Sequence, residues 1–257
     1  MAENTEALCR AVAQYLGERL KIPTEYVTGI PWQEREARFD RGEIQVLWLC
    51  GLPYVNKADL AGNGMELLAV PVPLGARYQG RAVYFSDVVV RRQSRFERFA
   101  DLRGAAWAYN EPRSHSGFNV VRAHLSELGE GRGFFTSAVE AGAHARALEL
   151  VLAGAVDGAA IDSLVLEWFA ARWPEVMAKL RVIETLGPSP IPPWVVSTRV
   201  PDILRGQIRE LLLDMDADPC GRSMLAEGGL ARFGAARDSD YEPIRLMARQ
   251  AERVLLA

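Results

Sequence analysis

The chain has 257 residues, of which 49% are hydrophobic and 25% are charged, a composition typical of globular proteins with ample core. Its net charge of −3 does not provide the basic footprint of a nucleic-acid-binding protein, so we expect no nucleic-acid partner. No apolar run approaches the roughly 18 residues that a membrane span requires. The three cysteines are scattered without metal-ligand or disulfide-framework spacing, so we expect buried free thiols. The sequence contains no P-loop, G-x-G-x-x-G or H-E-x-x-H motif, and we expect no metal and no cofactor.

Helical and strand patterns alternate along the chain, which predicts an α/β fold. The first helix is predicted over residues 6–20, where apolar residues recur at helical spacing. A short strand at 23–29 and a polar-faced helix at 32–43 follow. An apolar strand is predicted at 44–51, running into a glycine loop, and two further strands at 66–73 and 82–90.

The second half of the chain repeats this alternation. Helices are predicted at 94–104, 116–129, 143–154 and 164–180, the last broken at Pro174. The strands between them are predicted at 105–110, 156–162 and 181–187. A proline-rich stretch, 188–193, leads into one more apolar strand, and helices are predicted at 201–215 and 239–257.

The stretch "NEPRSHSGFN", residues 110–119, gathers two hydroxyls, an imidazole and a glycine at the start of a predicted helix. A helix N-terminus exposes unpaired backbone N–H groups and partial positive charge, which favour an anion. Serine hydroxyls add donors, and glycine lets a ligand approach the backbone. The alternative is that Ser114 or Ser116 only caps the helix.

His144 stands at the start of a predicted helix and Asp162 at the end of a predicted strand. Residues just past strand ends line the binding crevice of α/β sheets, which makes Asp162 a candidate. In chain order Ser116, His144 and Asp162 also permit a hydrolase triad. The nucleophile-elbow pattern G-x-S-x-G is absent, however, and this argues against that alternative.

Four segments in this order resemble the phosphonate-type periplasmic substrate-binding proteins of ABC transporters. They are "VYFSDVVVRRQSRFERFADLRGAAWAYNEPRSHSGFNVVRAHL", "GAHARALELVLAGAVDGAAID", "LRVIETLGPSPIPPWVV" and "ARFGAARDSDYEPIRLMAR". The resemblance implies the type 2 periplasmic-binding fold, in which two lobes are joined by two crossing strands with the ligand cleft between them. The pattern of elements indicates that residues 89–191 form an inserted second lobe and that residues 1–88 and 192–257 form the first, although periodicity alone allows one doubly wound domain equally well.

The family grips phosphonate oxygens with a serine-threonine-serine-glycine turn, which is similar to Ser114, His115, Ser116 and Gly117 here. His115 replaces the usual threonine. By the same resemblance the ligand-binding set is extended with residues from other segments: Tyr84, His144, Asp162, Trp48, Leu49 and Gly51. We expect His144 to add charge or a donor, and Asp162 to receive an ammonium or hydroxyl at the other end of the ligand.

The family opens with an apolar strand before its first helix, whereas this chain starts almost directly on the helix. We therefore expect the sheet of the first lobe to lack one strand and to leave an unpaired edge. The resemblance implies a periplasmic location. The first 20 residues contain no apolar signal-peptide core, so the sequence as written predicts a cytoplasmic chain.

The resemblance implies non-catalytic capture of a small phosphorus oxyanion, such as a phosphonate, phosphite or phosphate ester, for a transporter with an ABC permease as partner. Binding would shift an open–closed equilibrium. Two alternatives remain open at this stage: a cytoplasmic sensor or orphan binding protein, and a biosynthetic enzyme on the same fold that acts on a phosphorylated or carboxylated metabolite.

Overall fold

The computed structural model describes residues 3–257 and confirms the α/β composition. The helices, in chain order, are α1 Glu6–Leu20, α2 Trp32–Arg41, α3 Gly51–Ala58, α4 Val120–Glu127, α5 His144–Ala153, α6 Ser163–Arg172, α7 Pro174–Met177, α8 Asp202–Leu213, α9 Pro219–Glu227 and α10 Glu242–Ala251. The strands are β1 Val46–Trp48, β2 Met65–Pro73, β3 Val83–Arg91, β4 Ala106–Tyr109, β5 Ser137–Glu140, β6 Gly158–Asp162, β7 Leu180–Pro190, β8 Trp194–Ser197 and β9 Leu230–Gly234. Within these described residues no helix is both long and apolar enough to cross a membrane.

The chain forms two compact units. Unit 1 comprises Glu3–Val83 with Pro190–Tyr241, and unit 2 comprises Tyr84–Ser189 with Glu242–Ala257. The chain therefore passes between the units three times, whereas two crossings were predicted. The C-terminal segment was assigned from the sequence to the first lobe, but its residues pack in unit 2.

The packing of α10 and the tail explains this difference. Met247 of α10 packs against the same apolar cluster that contains Val121 and Leu125 of α4. The guanidinium of Arg122 donates a hydrogen bond to the carbonyl of Val254 (2.7 Å), and the Phe135 N–H donates to the carbonyl of Leu256 (3.2 Å). Such long-range contacts cannot be read from the periodicity of the helix itself.

Unit 1 contains an antiparallel sheet of order β1-β8-β2-β9. Its core joins α1, α8 and α9 to the sheet, with Leu8, Val12 and Leu16 on the buried face of α1 as the helical spacing predicts. Helix α9 and strand β9 were not predicted, and neither was α3.

The strand predicted at 23–29 was wrong, because this segment makes no strand pairing and packs on α1 instead. The Thr24 hydroxyl donates to the carbonyl of Ala13 (2.8 Å), and Thr24 crosses α1 at Gly17, where a Cβ would overlap it. A cavity of about 380 Å³, lined by residues 22–27 on one side and 43–48 on the other, borders β1. Among the described residues β1 pairs with β8 alone, and the proposed absence of a further strand stays a prediction.

Unit 2 contains a five-stranded sheet of order β5-β4-β6-β3-β7, in which β5, β4 and β6 are parallel and β3 is antiparallel to β6. Helices α4 and α10 cover one face and α5 and α6 the other. The predicted helix at 94–104 is only a 3-10 turn, Phe99–Leu102, and β5 was not predicted. Helices α4 and α5 and strands β4 and β6 lie within their predicted ranges, and the predicted break at Pro174 is confirmed between α6 and α7.

An aromatic cluster forms the centre of unit 2. Trp107 of β4 is fully buried, stacks on Phe135 at 4.6 Å between ring centroids, and meets the edge of Phe99 at 6.2 Å. Gly158 of the neighbouring strand β6 leaves room for the indole, since a Cβ there would come within 3.1 Å of it.

We expect Trp107→Ala to lower the free energy of unfolding by about 3–5 kcal/mol, because the surrounding rings cannot collapse into the void. Trp168→Ala is the matched control, since Trp168 is only partly buried and should cost less. Urea unfolding of both variants measures this. Equal losses would show that the aromatic cluster is not the core of unit 2.

Candidate functional site

The polar residues of interest in unit 2 gather at the carboxyl ends of the parallel strands β4 and β6. Asn110 follows β4 directly, and Asp162 is the last residue of β6. Three helical segments begin at this edge: a π-helical turn, His115–Asn119, that continues into α4, then α5 at His144, and α6 at Ser163. Their free N–H groups make this edge of the sheet electropositive without a formal charge.

Ser114 caps the π-helical turn. Its Oγ accepts a hydrogen bond from the Gly117 N–H (3.1 Å), and its carbonyl accepts one from the Asn119 N–H (3.0 Å). The Oγ atoms of Ser114 and Ser116 lie 3.4 Å apart, and both side chains are buried. Ser114 therefore caps the helical turn, as the alternative posed from the sequence expected. Its hydroxyl proton is not used by the cap, because the cap needs only a lone pair.

His144 at the start of α5 meets this turn. Its Nε2 lies 3.0 Å from the Ser116 Oγ and 3.4 Å from the Asn110 Nδ2. His144 is 8% exposed, and burial lowers its pKa from 6.5 to about 4, so the imidazole is neutral near pH 7 and does not supply the charge that was one of the two expectations for it. Ser114, Ser116, Gly117 and His144, four predicted site residues, are therefore brought together.

The contacts of His144 do not complete a hydrolase triad. Its Nδ1 is buried and makes no hydrogen bond to any described residue, whereas a triad needs a carboxylate there. The Asp162 Oδ1 instead accepts from the Leu164 N–H (2.8 Å) and caps α6. The Ser116–His144 pair thus lacks the third member that would orient a general base.

The His115 side chain points away from this cluster and is held within unit 2. Its Nε2 lies 2.9 Å from the Ser189 Oγ, and its Nδ1 accepts from the Asn119 Nδ2 (3.2 Å). An amide NH₂ can only donate, so the ring proton lies on Nε2 and is donated to Ser189. Burial lowers the pKa of His115 to about 3, and both ring nitrogens are occupied.

Tyr84 lies beside His115, with ring centroids 6.4 Å apart, and is fully buried. Two residues along β3, Ser86 is paired with Asp162 across the strands, and its buried Oγ makes no hydrogen bond among the described residues. Tyr84, Ser86 and Asp162 thus share the sheet face covered by the π-helical turn. Burial raises the pKa of Asp162 from 3.8 to about 7.

The remaining predicted residues, Trp48, Leu49 and Gly51, belong to unit 1. The Trp48 Nε1 donates to the Pro192 carbonyl (2.8 Å), and its ring stacks on Trp194 at 5.8 Å. The Leu49 N–H donates to the Pro193 carbonyl (3.0 Å), and the buried Gly51 begins α3. Within unit 1 these contacts fix the end of β1 against the proline-rich segment.

Asn110 was not predicted as a site residue, although it is 9% exposed and contacts the imidazole of His144. The signal available from the sequence was its position directly after a predicted strand, the criterion that selected Asp162. No group of three or more metal-ligating side chains occurs in the part of the chain that the structure describes.

Gly117 is required by the packing of this cluster. A Cβ at this position would overlap the Asn110 Oδ1 and lie 3.2 Å from the His144 Cε1. We expect Gly117→Ala to lower the free energy of unfolding by about 1–3 kcal/mol, since an overpacked site must shift. Gly206→Ala in α8, where a Cβ meets nothing within 4 Å, should be stabilising by about 0.5–1 kcal/mol. Urea unfolding of both tests this, and a neutral Gly117→Ala would contradict the close packing.

The raised pKa of Asp162 gives a second prediction. An acid with a higher pKa in the folded state binds more protons there than in the unfolded state. The contribution of Asp162 to the free energy of unfolding therefore falls as the pH rises from about 4 towards and through 7. Asp162→Asn keeps a good N-cap but cannot ionise. Between pH 5 and 8 the unchanged chain should lose about 2–3 kcal/mol more stability than this variant. Urea unfolding at both pH values measures the difference, and parallel losses would exclude the shift.

Several proteins of known structure have the same fold as this chain. A structure of a binding protein component of an ABC phosphonate transporter from Pseudomonas aeruginosa matches with a TM-score of 0.84 at 16% identity, covering 98% of this chain and 83% of that one. PhnD1 from Prochlorococcus marinus, in complex with methylphosphonate, matches with a TM-score of 0.81 at 17% identity, covering 98% and 96%. A Xanthomonas citri protein bound to ATP matches with a TM-score of 0.73 at 16% identity, covering 98% and 93%.

These similarities establish the type 2 periplasmic-binding fold that was predicted. The family profile described as the periplasmic substrate-binding protein of phosphonate ABC transporters matches residues 1–241. That family consists of solute-binding proteins and not of enzymes, which confirms the predicted functional class. The chain belongs to the phosphonate-type family of ABC transporter periplasmic substrate-binding proteins.

Proposed function

We propose that this chain binds a small phosphorus oxyanion, such as a phosphonate, phosphite or phosphate ester, at the Ser114–Gly117 turn. The observation that carries the proposal is the buried cluster of Ser114, Ser116 and His144 at a helix N-terminus. Multiple neutral donors in a desolvated pocket suit an oxyanion, whose oxygens lose their water on binding.

His115 contributes to this site in a different way from the other residues of the turn. Because both of its ring nitrogens are occupied by Ser189 and Asn119, it supports the turn from beneath and offers the ligand its backbone N–H. The buried histidine thus replaces a small hydroxyl residue without placing a charge beside the ligand, since its pKa is lowered by burial.

Asp162 is the acceptor for the other end of the ligand. Its Oδ1 accepts from the Leu164 N–H at the start of α6, and the second carboxylate oxygen receives an ammonium or hydroxyl group of the ligand in this proposal. A cationic ligand group would favour the ionised carboxylate and lower the raised pKa of Asp162. Tyr84 lies on the same sheet face, and Trp48, Leu49 and Gly51 are proposed to add contacts from unit 1.

The partner that receives the ligand is an ABC permease, and the location is the periplasm. Membership of the family supports both statements, as does the methylphosphonate held by the Prochlorococcus marinus protein of the same fold. Ligand binding shifts the protein towards a bound conformation that the permease reads, which requires a difference in ligand affinity between the two states.

A thermal-shift screen of phosphonates, phosphite, phosphate, sulfonates and carboxylates tests the ligand class. A ligand at a hundred times its Kd stabilises the folded state by about 2.7 kcal/mol, which gives a clear rise in Tm. We expect stabilisation by phosphorus oxyanions. A screen in which carboxylates alone stabilise the protein would overturn the proposal.

Ser116→Ala should weaken binding of the best ligand in that screen by about 1–3 kcal/mol, because a buried hydroxyl that contacts the ligand is lost. Ser223→Ala is the matched control, since Ser223 is exposed on α9 of unit 1 and should leave the Kd unchanged. Isothermal titration calorimetry measures both. An unchanged Kd in Ser116→Ala would remove the turn from the site.

A further inference from the structure

The side-chain amide of Asn110 lies between Gly117 and the His144 ring, and its surroundings fix its orientation. The Oδ1 lies in the space that a Cβ on Gly117 would occupy, and the Nδ2 lies 3.4 Å from the His144 Nε2. A carbonyl oxygen accepts a weak C–H contact from the glycine Cα, whereas an NH₂ group there would oppose hydrogen to hydrogen. The oxygen therefore faces Gly117 and the nitrogen faces His144.

This orientation determines where the His144 proton is. An amide NH₂ can only donate, so the His144 Nε2 must carry a lone pair, and the proton of the neutral ring is on Nδ1. The Ser116 Oγ lies closer to this Nε2, at 3.0 Å. Nε2 has one lone pair, and the Ser116 hydroxyl at 3.0 Å is a closer donor to it than the Asn110 NH₂ group at 3.4 Å, so the Ser116 proton is used on Nε2 and the lone pairs of its oxygen are left for the ligand.

We propose that the Asn110–His144–Ser116 chain of hydrogen bonds selects the singly protonated form of the oxyacid. This rests on the function proposed above and specifies the ionic form of its ligand. The P–OH group donates to the Ser116 Oγ, while the ionised oxygens take the N–H groups that begin the turn. In a fully ionised ligand, the oxygen that faces the Ser116 Oγ has no hydrogen to donate. Two atoms with lone pairs would then be buried against each other, which weakens binding.

The other titratable groups around this imidazole define how the inference is tested. The strands packed against α5 bring Asp162 from β6 and Tyr109 from β4, and the π-helical turn, which reaches His144 through Ser116, contains His115. The pKa of His115 is about 3, burial raises the pKa of Tyr109 above 10, and the pKa of Asp162 is about 7. Of these three, Asp162 alone titrates between pH 5.5 and 8.5. The charged side chains on α5 itself pair with each other at 2.6 Å: Arg146 and Glu149.

Calorimetric titration of the full chain with methylphosphonate from pH 5.5 to 8.5 is the experiment. Above the second pKa of the ligand, the apparent Kd should rise about tenfold per pH unit, because the bound monoanion becomes scarce. Repeating the titration in buffers of different ionisation enthalpy should show uptake of about one proton per bound ligand there. Methanesulfonate, a monoanion throughout this range with no hydroxyl to donate to Ser116, is the control: it should bind more weakly than the methylphosphonate monoanion, and its Kd should show no such rise.

Asp162→Asn removes the other group that titrates in this range. The slope of log Kd against pH for methylphosphonate should persist in this variant. Asn110→Leu has similar volume but no NH₂ group, so the His144 Nε2 can take a proton and Ser116 can donate to a dianion. We expect the slope to fall to about half or less in this variant. If Asn110→Leu does not fold, the pH dependence of the Kd in the unchanged chain and in Asp162→Asn still tests the selection of the protonated ligand.

The outcomes separate the two proposals. Absence of methylphosphonate and phosphite binding at every pH would contradict the proposed function itself. Binding whose Kd stays constant or improves as the ligand becomes dianionic would overturn the selection of the protonated form and leave the proposed function standing. A slope that disappears in Asp162→Asn assigns the pH dependence to that carboxyl and likewise overturns the inference.

Discussion

The structure of unit 2 depends on burying neutral polar groups together at one edge of its sheet. Ser114, Ser116, Asn110 and His144 lie where β4 ends and where two helical segments begin, and each is at most 9% exposed. A buried donor or acceptor without a partner costs about 1–3 kcal/mol, and contacts among these groups reduce that cost, although the Asn110 Oδ1 and the His144 Nδ1 make no hydrogen bond to a described residue. Gly117 makes this possible, because its missing side chain is the space that the Asn110 amide fills.

The structural roles of Ser114 and Asp162 are compatible with the ligand contacts proposed for them. Ser114 caps the π-helical turn through a lone pair and Asp162 caps α6 through one oxygen, so each retains an atom for another contact. The choice between a cap and a ligand contact, which the sequence posed for Ser114 and Asp162, is therefore not exclusive. Caps hold these side chains in one orientation, and this lowers the entropy that binding has to remove.

The sequence predicted those parts of the fold that depend on local pattern, and missed those that depend on distant partners. The amphipathic spacing of α1 and the stop at Pro174 are local and were confirmed. The strand at 23–29 failed because a strand needs a paired neighbour, and the segment found α1 instead. Asn110 was missed for a similar reason, since its partner His144 is 34 residues away in the chain.

The neutrality of the site carries a consequence for specificity. An ion pair between a lysine and a phosphorus oxyanion attracts every anion of sufficient charge, because a point charge has little directional preference. Donors and acceptors of fixed direction discriminate by proton position, since a mismatch leaves a buried group unpaired. Burial keeps His144 neutral with a pKa of about 4, and the Asn110 amide sets which nitrogen holds the lone pair. In the proposed site, the burial that lowers this pKa is therefore also what makes discrimination between ligands depend on the positions of their protons.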